Sequence, residues 1–85
     1  MRFSFTMNMP SRSGNAVHQV LGGVPVDSLE ALLDKMANTD FLLVEEFYVQ
    51  RSGSGQSYLE SVGHIALNPL FIGKVKVLED QWGQA

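Results

Sequence analysis

Residues 40–50, DFLLVEEFYVQ, constrain this chain more than any other stretch, because their pattern fits a long β-strand. Phe41, Leu43, Phe47 and Val49 fall on one parity and Leu42, Val44, Glu46 and Tyr48 on the other, in a β-branched and aromatic composition. Only Glu45 interrupts the apolar parity, so the odd-numbered side is expected to face the core. A carboxylate there needs a cation such as Arg2, Arg12 or Lys35, an edge position open to water, or a ligand or partner. The glycine-rich segment RSGSGQS at residues 51–57 follows, and residues 58–67 then repeat the period of two, which predicts a hairpin. Pairing Arg51 with Ser57 sets Tyr48 opposite Glu60, Glu46 opposite Val62, Glu45 opposite Gly63 and Val44 opposite His64. A slip of one residue would exchange the two faces.

The rest of the chain supplies what such a hairpin lacks. Met1, Phe3, Phe5, Met7 and Met9 alternate with Arg2, Ser4, Thr6 and Asn8, a half-buried strand that Pro10 is expected to end. Residues 10–15, PSRSGN, read as a polar loop. Residues 16–21, AVHQVL, fit either a strand returning along the first or a single helical turn, and GGVPVD at residues 22–27 reads as a stop. A helix is predicted over residues 28–38, with Asp27 as N-cap, Glu30 as its capping-box partner and Val26 against Ala31 as a hydrophobic staple. Leu29, Leu32, Leu33 and Met36 form its apolar stripe. Asn68 and Pro69 open a turn, and KVKVL at residues 74–78 predicts a last strand whose lysines guard an exposed edge. A short polar tail runs from about residue 79, with Trp82 expected to cap the core or pack on a partner.

The fold class is therefore α+β: a small antiparallel β-sheet of four to five strands packed against a single α-helix, in the order β-(β)-α-β-β-β, as one domain over residues 1–85. A chain of this length buries only about 60–65% of its unfolded surface, and without cysteine it has no disulfide to reinforce it. Self-association, as a dimer first, is the expected remedy. A net charge of −3 argues against general nucleic-acid binding, and no long apolar run indicates a membrane span. No cofactor is indicated, and a cytoplasmic location fits the absence of cysteine.

Two constellations carry candidate chemistry. Ser11, Arg12, Ser13 and Asn15, with His18 close behind, gather groups that bind a phosphate, a carboxylate or a base edge, or that simply satisfy their own turn. They match neither a Walker loop nor a dinucleotide fingerprint. Glu46, Tyr48, Glu60 and His64 would share one face of the hairpin in the register above, as a solvated face, a subunit contact or an acid–base centre. Residues 64–79, HIALNPLFIGKVKVLE, are similar to the strand–turn–strand endings of small barrels of the Sm type. A helix preceded by a full strand departs from that arrangement, and no function is carried over from it.

The reading that results is a small non-enzymatic binding or interaction protein, homo-oligomeric, that meets a protein partner or a small anionic ligand through residues 11–18 and the polar hairpin face. Its competitors are a small hydrolase or isomerase built on Glu46, Glu60 and His64, and an accessory protein of a phage or mobile element that inhibits a host factor.

Overall fold

The structure is a computed structural model that describes residues 1–79 and the backbone of residues 83 and 84. Trp82 and most of the polar tail lie outside the described residues. The described chain runs β1 (Arg2–Ser11), β2 (Gly14–Gly23), α1 (Leu29–Ala37), β3 (Leu42–Arg51), β4 (Ser57–Leu67), a 3-10 turn (Pro69–Phe71), β5 (Ile72–Val77) and β6 (Gly83–Gln84). All strands join one sheet in the order β5-β1-β2-β3-β4-β6. Five strands are antiparallel to their neighbours, as expected from the pattern. The two-residue β6, which the sequence did not suggest, runs parallel to β4.

β1 and β2 form an uninterrupted hairpin from Arg2↔Gly23 to Ser11↔Gly14. Residues 16–21 are thus strand, and the six-residue loop expected at 10–15 shrinks to Arg12 and Ser13. Pro10 does not end β1. The ladder alternates from the closing Ser11/Gly14 pair, so the Pro10 nitrogen points away from β2. It faces the outer edge, past Met7, where β5 has ceased to pair. Proline removes no ladder hydrogen bond there.

The parity expected of β3 is reversed, although Phe47 is also buried, on the other face. β2 sets the register, with Leu21 opposite Phe47 and Gly22 opposite Glu46. Gly22 also lies opposite Phe3, a fully buried core residue, so the even residues of β3 share the core face. Leu42 and Val44 are buried there, whereas Leu43 and Val49 lie exposed on the other side. Neighbouring strands overrule a strand's own composition because their faces must match. Glu45 consequently sits on the open face of an interior strand, half-buried, where its Oε2 accepts a 2.7 Å hydrogen bond from Ser61 Oγ. Arg2, which like Glu45 lies opposite Gly23, shares that face with it. Gly22 belongs to the strand and permits this approach: a Cβ on it would stand 3.1 Å from both Phe5 Cε2 and Val44 Cβ.

α1 begins one residue later than expected. Ser28, not Asp27, is the N-cap, its Oγ accepting from the Ala31 amide at 3.0 Å. Leu32 is fully buried and packs with Phe3, Phe5, Val24, Leu42, Val44 and Leu67, while Leu29 and Met36 flank it. Leu33 points outward and is 49% exposed. The strand–turn–strand ending resolves as β4, a 3-10 turn capped by the Asn68 side chain, and β5. Lys74 and Lys76 are exposed on β5.

Candidate functional site

β2 and β3 pair over only three residue pairs, ending at Leu21↔Phe47. Beyond that point the sheet divides into two arms, the β1–β2 hairpin and the β3–β4 hairpin. On the face that α1 covers elsewhere, the space between the arms is a cavity of about 670 Å³. Met7, Met9 and Val20 wall it from one arm, Tyr48, Ile65 and Leu67 from the other, and Phe71 and Asn68 of the 3-10 turn close its end. Such an apolar cleft with a few polar groups has the general form of a ligand site.

Its polar groups come from both predicted constellations. His18 projects from β2 on the same face as Met7, its cross-strand partner. Glu46 and Tyr48 project from β3 on the same face as the buried Val44. The side chains of His18, Glu46 and Tyr48 therefore line one groove, with Asn68 beside them, while the Gln19 side-chain amide donates to Ser4 Oγ on the other face. Glu46 is half-buried and carries the one formal charge among the lining residues, counting histidine as neutral. The groove thus favours a ligand that brings a positive charge or hydrogen-bond donors to a carboxylate.

The remaining predicted residues lie elsewhere. Ser11, Arg12, Ser13 and Asn15 are all exposed at the tip of the first arm, outside the groove lining. Ser11 Oγ donates to the Gly14 carbonyl oxygen and lies 3.5 Å from Ser13 Oγ, so these hydroxyls serve the turn. Glu60 pairs with Tyr48 as expected but is exposed and does not line the groove.

His64 is displaced by a β-bulge. Arg51↔Ser57 and Tyr48↔Glu60 hold as expected, but Val62 is an extra residue and Glu46 pairs with Gly63. From there the register is shifted by one, which puts Glu45 opposite His64. His64 therefore belongs to the opposite face, beside a shallow cavity of about 520 Å³ lined also by Arg2, Glu45 and Phe47. The Arg2 guanidinium carbon stands 4.9 Å from the centre of the Phe47 ring in that region. The sheet separates His64 from Glu46 and Glu60, so the acid–base constellation does not assemble. Among the described residues no three of His, Cys, Asp and Glu are grouped to hold a metal ion. No helix there is long and apolar enough to cross a membrane.

Sequence reasoning did not name Met7, Met9, Ile65 or Phe71 as lining residues; its assignment of the methionines to the core holds for Met7, which is buried, and Met9 packs against that core. It also missed the bulge, although a signal existed: Gly63, isolated in a strand pattern, adopts φ +119°. Scans against protein-family models, curated proteins and solved structures find no match for this chain.

Proposed function

We propose that this chain is a small binding protein whose site is the groove between the two hairpins. The observation that carries the reading is the convergence of His18, Glu46 and Tyr48, from separate arms, over a floor of Met7, Val20 and Ile65. Its ligand is an apolar group that carries a cation or a hydrogen-bond donor for Glu46. This narrows the small-ligand expectation, because an anion would meet a carboxylate with no lysine or arginine among the lining residues. Catalysis gains no comparable support, since the geometry leaves Glu46 without His64 and offers no activated nucleophile.

The test is a titration of isotope-labelled protein with n-octylammonium and, separately, with octanoate, followed by NMR. Octylammonium should produce saturable shifts at Met7, Tyr48, Ile65 and Leu67, octanoate weaker ones, and Glu46→Gln should bring the two affinities together. Shifts spread over the whole surface, or octylammonium binding untouched by Ile65→Lys, would refute the site.

A further inference from the structure

The cleft that contains the groove is also bounded by backbone. Along the β1–β2 ladder, residues 14, 16, 18 and 20 exchange hydrogen bonds with β1, because Ser11 and Gly14 form the closing pair. The N–H and C=O groups of Asn15, Val17 and Gln19 are therefore directed away from β1, toward the cleft. They meet no strand: among the described residues β2 pairs with β3 only at Leu21, Gly22 and Gly23. By the same alternation, continued past Phe47, the backbone groups of Val49 and Arg51 face the cleft from the other arm. A cavity of about 360 Å³ lies between Gln19, Val20 and Leu21 on one side and residues 46–50 on the other.

This edge differs from the others in lacking protection. β5 carries Lys74 and Lys76, and β4 is broken by the bulge at Val62. Both devices discourage pairing with another chain. Residues 14–20, GNAVHQV, contain no charged residue and no proline, and Val17 is 66% exposed. A two-stranded arm is also marginally stable alone, so a third strand would stabilise it.

We propose that this edge binds an extended segment of a partner polypeptide as an added β-strand, an inference that rests on the groove being the binding site. An extended backbone is the ligand whose donors and acceptors repeat with the spacing that Asn15, Val17 and Gln19 present. Alternate side chains of the segment enter the groove over Met7, Val20 and Tyr48, and the others lie on the open face beside Val17. The segment is cationic overall, because this chain carries a net charge of −3.

The probe is the eight-residue peptide acetyl-(Lys-Val)4-amide, with (Glu-Val)4 and peptides N-methylated at alternate nitrogens as controls. At a peptide concentration about ten times its Kd, amide exchange at Asn15, Val17 and Gln19 should slow about tenfold, because only free protein exchanges. The amides of Ala16 and His18, already bonded to β1, start slower and slow further only as the added strand stabilises the arm. N-methylation in at least one of its two phases, and replacement of lysine by glutamate, should each weaken binding by about tenfold or more.

Shifts at Tyr48 and Ile65 without slowed exchange, or equal affinity for both methylated peptides and their parent, overturn strand addition and leave the groove reading standing. Failure of (Lys-Val)4 to bind while octylammonium still does has the same meaning. Failure of both probes overturns both. If the peptide-free protein already shows slow exchange at these amides and the mass of a dimer, the occupant is a second copy, and the partner polypeptide is ruled out.

Discussion

One face of the sheet has two halves that differ in what lies over them and in composition. Under α1, Phe3, Phe5, Leu32, Leu42 and Val44 are fully buried. Between the arms, continuing along the same strands, Met9 and Ile65 are half-buried and Tyr48 is exposed. A comparison of lengths explains the difference. The nine-residue helix extends about 13 Å. The ten-residue strands β1, β2 and β3 each extend about 33 Å. Even laid along them the helix shelters less than half their length. The strands change composition where it stops, from Phe3, Phe5 and the buried Met7 to Met9 on β1, and from Leu42 and Val44 to Glu46 and Tyr48 on β3. The open half is thus a surface of intermediate character, apolar enough to bind and polar enough to remain hydrated.

That contrast can be broken by truncation on either side of it. Phe5→Ala should cost about 3–5 kcal/mol, and Leu32→Ala about 2–5, from lost burial and the cavity left behind. Against the total of about 5–15 kcal/mol typical of such domains, either change removes a large share of the stability. Tyr48→Ala should cost about 0.5 kcal/mol or less, yet weaken octylammonium binding. Urea unfolding of the three variants is the measurement. Equal losses at Tyr48 and Leu32 would mean that the open half is core, and the groove assignment would fall.

Much of this arrangement was legible in the sequence. The alternation of residues 1–9 gave β1 and its buried parity, because a strand with one wet face shows its period directly. The helix stripe at Leu29, Leu32 and Met36 was equally plain, as was the pairing of Tyr48 with Glu60 across the loop. What failed were assignments that depend on a neighbour. Both parities of residues 41–49 are largely apolar, so only the register with β2 decides which is buried. The bulge at Val62 adds one residue to β4 and thereby sends His64 to the other face. Of the candidate site, Glu46, Tyr48 and His18 were named from their chemistry, but in separate groups. Their meeting depends on a gap between two strands that have no local signature.

A smaller change tests the seam between the two halves. Gly22 is the middle of the three residues by which β2 meets β3, and a Cβ there would press on Phe5 and Val44 at 3.1 Å. Since Val44 Cβ is fixed by its own backbone, Gly22→Ala should cost about 1–3 kcal/mol as the ladder shifts to admit the methyl group. Gly53→Ala is the control: nothing lies within 4 Å of its Cβ position. Resonances of Tyr48 and Ile65 should move in the first variant and not in the second. A neutral Gly22→Ala with an unmoved groove would show that the three-pair junction does not set the width of the cleft.

The smallest expected effect bears on the edge of the covered half, where α1 starts. Ser28 supplies the capping oxygen to Ala31, so Ser28→Ala should cost about 1 kcal/mol, whereas Asp27→Ala, one residue outside the cap, should stay within about 0.5 kcal/mol. The pair discriminates sharply because both residues are good caps by composition and only geometry chooses between them. Fraying of the first helical turn would loosen Leu29 before it touched the rest of the core, so amide exchange in Ser28→Ala should quicken at Ala31 and Leu32 while Phe5 and Val44 keep their protection. Protection lost throughout would mean that helix and sheet open together, in which case the covered half owes its stability to α1 as a unit, and the length of that helix sets where the binding surface begins.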